Sequence, residues 1–372
     1  LSLRCDRGFA RGSVGYVGRS DGWQDFYQHG EMTWTYDRAE NGNVALIGEL
    51  AEPEGVLALG FSATPEGTET LSRASLAEGF QCIRDRVEDA WNTWGKQLKC
   101  PKRAKRNVRP LMYRSAMVLK VCEDRHYPGA VVASLSIPWG FSRNDLGGYH
   151  LVWPRDAVQT GFAMLAARHY EEARRMAAYL IATQHADGRW SQNYYPDGRP
   201  YWTNIQLDEI GFPILLLAKL KESGHLGELL CVEEMVRKAA GFLVRTGPVS
   251  PQDRWEENSG LSPFTVAVEI AALVAAAPFL PNRHERKYAL SYADYLNRRI
   301  EDWMYVAGTA LAAKHGVDGH YVRLATPEIF HGRHGEIRIA NRQGWHKPVE
   351  EVVSLDYLYL SRLGLRRPDS EW

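Results

Sequence analysis

From residue 109 onward, apolar residues return at every third or fourth position in one segment after another, which is the spacing of amphipathic helices. The pattern predicts eight helices, at residues 109–123, 154–167, 169–185, 203–222, 226–246, 262–279, 284–304 and 348–363. The segment 262–279 is apolar nearly all round, as expected of a helix buried on every side. Long loops separate the helices at alternate junctions. Alternating inner and outer helices predict an all-α (α/α)6 barrel.

The residues before this region carry strand signals. Short runs such as 33–36 and 44–47 are rich in β-branched and aromatic residues, and turn-forming clusters separate them. From residue 72 the spacing becomes helical, which predicts one linking helix over 72–98. We therefore predict three parts: the C-terminal part of an antiparallel β-sandwich domain (1–71), a helical linker (72–108) and the N-terminal two thirds of the barrel (109–372).

Composition narrows the classes of function. The chain has 372 residues, 45% of them hydrophobic, with 45 basic and 45 acidic side chains. This balance argues against a nucleic acid or an anionic membrane surface as the partner. No apolar stretch approaches the roughly 20 residues that span a bilayer. Five cysteines without metal-ligand spacing predict neither a disulfide framework nor a zinc site.

Two adjacent glutamates, Glu256 and Glu257, follow Trp255 on the loop before the helix at 262–279. Adjacent loop residues point in different directions, so the two cannot oppose each other across one bond, but they can share one site. There a neighbouring negative charge and an apolar wall keep a carboxylic acid protonated, as a general acid for glycoside cleavage requires. A solvated pair favoured by the helix dipole is the alternative interpretation. Ser262 is the predicted helix cap.

A second loop ends in Tyr-His-Leu-Val-Trp-Pro-Arg-Asp at residues 149–156. Trp153 precedes a proline that suits the first position of a helix, and Arg155 and Asp156 fall in the first turn. An arginine beside an aspartate is most often a surface pair. A sugar, however, offers a flat face to an aromatic ring and hydroxyl groups to charged partners.

The long loops at the odd-to-even helix junctions must all open at the same end of a barrel. They carry five tryptophans: Trp139, Trp153, Trp190, Trp202 and Trp255. A single tryptophan is more often a core residue than a sugar platform. Five on one rim predict a common pocket there.

Three stretches together resemble glycoside hydrolase family 15, most closely its bacterial glucoamylase and glucodextranase branch. They are residues 149–156, residues 192–195 with 202–212, and residues 254–257 through 262–265. The resemblance reaches almost from end to end of the chain and implies the same barrel behind a β-sandwich. Because the chain opens in what resembles the middle of a domain and shows eight predicted helices, we expect a fragment of a longer protein, truncated at both ends.

The resemblance also implies roles for individual residues. Glu256 matches the general acid, and Glu257 matches the neighbouring carboxylate that binds sugar hydroxyls. The implied substrate-binding residues are Tyr149, Trp153, Arg155, Asp156, Trp202, Asp208, Trp255 and Glu257. Asp208 matches a weaker family position, as does Gln206, and a polar pair at a helix start explains both residues equally well. A further substrate arginine is either Arg323 or Arg342.

In the first part of the chain, residues 17–25 are similar to a stretch of the family's β-sandwich. We predict Asp21 as a turn residue and Trp23 as a packed side chain. A contact of these two residues with a glycan or with the barrel is the alternative.

The implied activity is exo-acting, inverting hydrolysis that releases glucose from non-reducing ends of α-glucans or isomalto-oligosaccharides. No cofactor is required, and a structural calcium ion is compatible with the family. Inversion needs a second carboxylate as general base, and we expect it to lie outside these 372 residues. Cleavage of α-1,4 bonds, α-1,6 bonds or trehalose stays open.

The first alternative is a carbohydrate-binding module without catalysis, and the second is another helical-barrel enzyme such as a sugar phosphorylase or epimerase. We expect a monomer that acts on an oligo- or polysaccharide. The resemblance favours a secreted or periplasmic location over a cytoplasmic one.

Overall fold

The computed structural model describes residues 1–100, 105, 107–135, 149–327, 335–339 and 344–369. The chain divides into two compact units, Leu1–Lys96 and Gln97–Trp372. All five cysteines are free. Among the described residues, no helix is both long and apolar enough to cross a membrane.

The first unit combines short strands with three helices. Its strands are β1 (Ser2–Cys5), β2 (Phe9–Tyr16), β3 (Val44–Leu50) and β4 (Leu57–Gly60). Strand β1 pairs with β4, and β2 pairs with β3, both antiparallel. The helices are α1 (Gly22–His29), α2 (Pro65–Glu78) and α3 (Phe80–Lys96).

Two predictions for the first unit are wrong. Residues 33–36 form no strand, because the backbone N–H groups of Thr33 and Trp34 donate to the buried carboxylate of Asp25. The single linking helix is instead α2 and α3, separated at Gly79, whose φ of 89° lies outside the helical range.

Asp21 and Trp23 lie at the start of α1. The carboxylate of Asp21 is buried and accepts hydrogen bonds from the backbone N–H groups of Trp23 and Gln24, so it caps this helix. The side chain of Trp23 is 67% exposed, so the prediction of a packed tryptophan is wrong.

The second unit is mainly helical. Its helices are α4 (Arg109–Val121), α5 (Pro154–Ala166), α6 (Tyr170–Thr183), α7 (Leu207–Glu222), α8 (Val232–Thr246), α9 (Pro263–Ala276), α10 (Arg283–Met304), α11 (Ala310–His315) and α12 (Tyr359–Arg362). Two antiparallel strand pairs follow α10, namely β5 (Tyr305–Ala307) with β6 (Gly319–Tyr321) and β7 (Glu336–Ile339) with β8 (Trp345–Pro348). The first seven predicted helices are confirmed, although α7 and α8 begin later than predicted.

The eighth predicted helix, at 348–363, is wrong as a continuous element. Only short helical turns form there, Val349–Glu351, Leu355–Leu358 and α12. The backbone N–H of Arg323 donates to the carbonyl of Val352 at 2.8 Å. Residue 352 is thereby held in an extended conformation between the turns.

Helices α7 and α9 are buried along their length, whereas α6, α8 and α10 bury one face each. Helices α7 and α9 approach closely at Gly211, where an added Cβ would lie 2.7 Å from Cγ1 of Val268. The alternation of inner and outer helices therefore agrees with the predicted barrel. Pro263 occupies the first turn of α9 as predicted, but the side chain of Ser262 makes no capping hydrogen bond.

Helix α9 carries a buried carboxyl group. Glu269 is 0% exposed, and neither of its oxygens has a hydrogen-bond partner among the described residues. Burial, and then the negative charge of Asp208, raise the pKa of Glu269 well above its ordinary value. The neutral form of this group is therefore favoured in the folded protein.

We expect Glu269→Gln to stabilise the protein, with a gain that grows as the pH rises. Because the pKa of Glu269 is higher in the folded chain than in the unfolded chain, the folded chain keeps a proton that the unfolded chain releases. That contribution to stability is complete below the unfolded pKa and is lost as the pH rises towards the folded pKa. Urea unfolding should show a gain on the order of 1–3 kcal/mol at pH 8 and little change near pH 4.

Glu123→Gln is a matched control for which we expect the opposite effect on the free energy of unfolding, a loss of stability. Burial disfavours the charge of Glu123, but hydrogen bonds from Arg175 and Lys120 outweigh burial and lower the pKa of Glu123 to about 2. Its stabilising contribution is present above the usual pKa of 4.5 and is lost as the pH falls towards 2. A pH-independent effect of Glu269→Gln would contradict our interpretation of the buried carboxyl.

Candidate active site

The N-terminal end of α5 carries the first group of site residues. Trp153 precedes the helix, Pro154 is its first residue, and Arg155 and Asp156 occupy its first turn, as predicted. Trp153 is 6% exposed and Arg155 is 8% exposed. The side chain of Asp156 is 47% exposed, and its Oδ2 lies 3.9 Å from Nε of Arg155. The predicted pair therefore splits into a buried guanidinium and a carboxylate that faces solvent.

Arg155 joins the start of α5 to the start of α7. Its Nη1 donates to Oε1 of Gln206 at 2.6 Å and to Oδ2 of Asp208 at 2.9 Å. The same nitrogen lies 3.4 Å from Oε1 of Glu209. Asp208 and Glu209 are both buried. A buried guanidinium without these partners would be costly, so the cluster holds the two helix starts together.

The charges of this cluster act on one another. Burial alone would lower the pKa of Arg155, but the charges of Glu209 and Asp208 outweigh burial and raise that pKa above its ordinary value. Burial raises the pKa of Glu209 well above its usual range despite the nearby guanidinium. Arg155 therefore stays charged beside these carboxyl groups.

Glu256 lies on the loop before α9 in a left-handed backbone conformation, with φ of 64°. Its N–H donates to the carbonyl of Asp253 at 2.9 Å, and the Asp253 carboxylate accepts from the backbone N–H groups of Glu257 and Asn258. This conformation costs a side-chain-bearing residue roughly 1–2 kcal/mol, so the turn around Asp253 must hold it. The Glu256 residue is exposed, and its Oε1 accepts from Nε1 of Trp153 at 3.2 Å.

Glu257 takes a different partner. Its side chain is 4% exposed, and its Oε2 accepts a hydrogen bond from Nη2 of Arg323. The same nitrogen donates to Oδ2 of Asp253 at 2.9 Å. The two glutamates therefore point in different directions, as predicted for adjacent loop residues. The charge of Glu257 is balanced by Arg323, a partner that the interpretation of two carboxylates in one site did not include.

Aromatic rings line the same region. The ring centroids of Tyr149 and Trp153 are 6.1 Å apart, and those of Trp153 and Trp202 are also 6.1 Å apart. Trp202 is 36% exposed and Trp255 is 45% exposed. Rings that are partly exposed beside an exposed carboxyl suit the flat face of a sugar.

The predicted tryptophan rim holds only in part. Trp190 is 1% exposed, and its Nε1 donates to the carbonyl of Leu180 at 2.9 Å, so it is a core residue of the helical layer. Trp139 lies outside the described residues. Trp153, Trp202 and Trp255 remain as candidate wall residues.

Of the two candidate substrate arginines, Arg323 lies in this region. Its guanidinium carbon is 5.8 Å from the ring centroid of Trp255. Arg342 lies outside the described residues, so the choice between the two arginines stays open.

Three residues of this region were not predicted from the sequence. Asp253 closes the turn under Glu256, and an aspartate three positions ahead of it is a usable turn signal. Glu209 follows the predicted Asp208 directly, but a buried charge at a helix start has no sequence signature. Asp356 accepts from the side chains of Arg254 and Trp255, and no local pattern predicts a contact across a hundred residues.

The site offers an exposed carboxyl group, a buried guanidinium and aromatic faces. This combination suits a neutral ligand with many hydroxyl groups and the transfer of a proton to it. In the part of the chain that the structure describes, no group of three or more His, Cys, Asp or Glu side chains is arranged to hold a metal ion.

Known proteins share both units. Residues 1–96 match the model of glucodextranase domain N. A glucoamylase of Clostridium sp. (strain G0005) is 31% identical over 99% of this chain and 51% of its own length. An uncharacterized glycosyl hydrolase of Methanocaldococcus jannaschii is 30% identical over 42% of this chain and 24% of its own length. The chain thus spans about half the length of the glucoamylase that it matches.

A solved structure agrees with these matches. The crystal structure of a bacterial glucoamylase in complex with acarbose has a TM-score of 0.84 and 31% identity, covering 99% of this chain and 53% of that one. The predicted fold class, an (α/α)6 barrel preceded by the end of a β-sandwich and a linker helix, is confirmed for the barrel, and the part before it matches a glucodextranase-type N-terminal domain. Residues 107–316, more than half of the chain, match the model of glycosyl hydrolases family 15, and the protein belongs to that family.

Proposed function

We propose that this protein is a glucoamylase-type hydrolase that releases glucose from the non-reducing ends of α-glucans or isomalto-oligosaccharides, with inversion. The observation that carries the proposal is the position of Glu256, whose exposed carboxyl group accepts a hydrogen bond from Trp153 next to the buried Arg155. The relatives that cover nearly all of the chain are a glucoamylase and a glucoamylase bound to acarbose, which supports this substrate class.

Glu256 acts as the general acid in this proposal. The indole N–H of Trp153 holds Oε1 at 3.2 Å and thereby orients the carboxyl group. The other oxygen, Oε2, then carries the proton that passes to the glycosidic oxygen. The hydrogen bond from Trp153 and this proton transfer would compete if they involved the same oxygen. Because the turn around Asp253 fixes the backbone, the acid does not have to be ordered when substrate arrives.

The terminal sugar binds between the start of α5 and the aromatic rings. Asp156 offers an exposed carboxylate, and Arg155 offers a guanidinium already oriented by Asp208. The rings of Tyr149, Trp153 and Trp202 form one wall of the sugar site, and Trp255 supplies a further ring beside the acid. Charge-assisted hydrogen bonds to hydroxyls fix the register of the sugar, and the rings exclude water.

Glu257 contributes to sugar binding mainly through its ion pair with Arg323. Its side chain is 4% exposed and already bound to Arg323. We propose that this pair presents the arginine to the sugar, with Glu257 as an additional hydroxyl acceptor. Inversion also requires a second carboxylate, about 6.5–9.5 Å from the acid, to activate water on the opposite face of the sugar.

We expect Glu256→Gln to lower the rate of glucose release by roughly 10²–10⁴-fold, the usual contribution of a general acid. Glutamine keeps the size of the side chain and a carbonyl oxygen for Trp153, so binding should persist. Glucose release from maltotetraose, isomaltotetraose and trehalose measures the rate and the preferred linkage. Tryptophan fluorescence during titration with maltotetraose measures binding.

The assay uses the 372-residue chain and the complete reading frame that encodes it, with Glu222→Gln as control. Glu222 is a surface residue that pairs with Lys219, so this variant should behave as wild type. Turnover by the 372-residue chain itself would show that the second carboxylate lies within it. Binding of maltotetraose without turnover by either protein would contradict the proposed hydrolase and favour a carbohydrate-binding module.

We further expect Glu256→Gly to be more stable than Glu256→Ala, with a free energy of unfolding in urea that is about 1 kcal/mol higher. The φ of 64° at this position strains any residue that has a Cβ, and glycine removes that strain. The same two substitutions at Glu257, which has no positive φ, should rank in the opposite order. Equal stability of the two Glu256 variants would show that the loop relaxes and that the acid is not held by its backbone.

A further inference from the structure

Asp356 lies in the helical turn Leu355–Leu358, 102 positions after Arg254. Its side chain is 16% exposed and accepts three hydrogen bonds. Oδ1 accepts from Nη1 of Arg254 at 2.7 Å, and Oδ2 accepts from Nε1 of Trp255 at 3.0 Å and from Oγ of Ser354 at 2.6 Å. Since both oxygens are occupied, the orientation of this carboxylate is determined.

Two of the three donors directly precede Glu256 in the chain. The bond to Nε1 fixes one edge of the Trp255 ring, and the guanidinium carbon of Arg254 lies 5.3 Å from the centroid of that ring. Trp255 is nevertheless 45% exposed. Asp356 and Arg254 therefore hold the indole in one orientation while part of its surface stays open to a ligand.

The segment that carries Asp356 is itself anchored to the inner helices. Tyr359 follows it and packs edge-on against Phe264 of α9 and Phe212 of α7, with ring centroids 4.7 Å and 6.1 Å apart. The guanidinium of Arg254 also lies over Phe264, at 4.8 Å. The loop that carries Glu256 is thus held in place by packing against core residues of α7 and α9.

The residues on either side of Glu256 are held by different later segments. Arg323 binds Glu257 on the C-terminal side, and Asp356 binds Arg254 and Trp255 on the N-terminal side. A strained residue such as Glu256 relaxes if either side is released. Without Asp356, Arg254 and Trp255 would lose these hydrogen bonds, and on the N-terminal side the bond from Arg323 to Asp253 would remain.

We propose that Asp356 is a positioning residue of this site, which fixes Trp255 as a ring against the sugar and thereby aligns Glu256 with the bond to be cleaved. The proposal rests on the function proposed for Glu256. It assigns to Asp356 no contact with the substrate. Its effect is exerted through the indole and guanidinium groups that it binds.

The test is Asp356→Asn in the complete protein, with kcat and KM measured on maltotetraose. Asparagine keeps the shape, but its amide nitrogen cannot accept the hydrogen bonds of Arg254 or Trp255. We expect kcat to fall about 10–100-fold, because a misplaced catalytic group loses rate, while KM changes less than threefold. Ser354→Ala removes only the third hydrogen bond and should leave kcat within twofold of wild type.

Trp255→Phe keeps a ring and removes the indole N–H, so it tests the same contact without altering Asp356. If Asp356 acts through Trp255, the double variant Asp356→Asn with Trp255→Phe should lose little more than Asp356→Asn alone. A merely structural role would instead lower the melting temperature and leave kcat of the folded protein unchanged. Additive losses would likewise overturn the proposal.

The outcomes separate the two proposals. If Glu256→Gln keeps the activity, the proposed function fails whatever Asp356 does. If Glu256→Gln abolishes the activity and Asp356→Asn keeps kcat within threefold, only the positioning role fails. If Asp356→Asn does not fold, Trp255→Phe decides, and an unchanged kcat in that variant contradicts the positioning role.

Discussion

The buried pairing of Arg155 with Asp208 is the contact on which the arrangement of the site depends. The guanidinium belongs to the start of α5 and the carboxylate to the start of α7, with 2.9 Å between Nη1 and Oδ2. Removing such a charge from water costs several kcal/mol unless carboxylates surround it. The pair therefore forms only if both helix starts meet at one end of the helical layer, and this end is where the loops that carry Trp153 and Glu256 open.

The loop before α9 owes its rigidity to polar side chains. Asp253 closes the turn, Arg323 joins that turn to the chain beyond α10, and Asp356 holds the two residues ahead of Glu256. These contacts hold Glu256 in its strained left-handed conformation. An exposed group held in this way keeps its position while it stays accessible to a ligand.

Much of the helical unit was predictable because its signals are local. The three- and four-residue spacing of apolar side chains identified α5, α9 and α10, and the prolines at 154 and 263 marked two helix starts. The failures also have local causes that the spacing does not show. Residues 33–36 resemble a strand, but Asp25 binds their backbone N–H groups, and the apolar spacing over 72–98 continues through Gly79, whose φ breaks the helix.

The sequence alone identified the candidate site residues and their order along the chain. A tryptophan with two glutamates, and an arginine with an aspartate at a helix start, follow from side-chain type and short-range spacing. Only the tertiary structure decided their partners: Arg323 for Glu257, Trp153 for Glu256 and Asp356 for Trp255. It also placed Trp190 in the core. The physical reason is that these pairs join residues 66 to 103 positions apart. Such pairing depends on how helices pack, which no local pattern encodes.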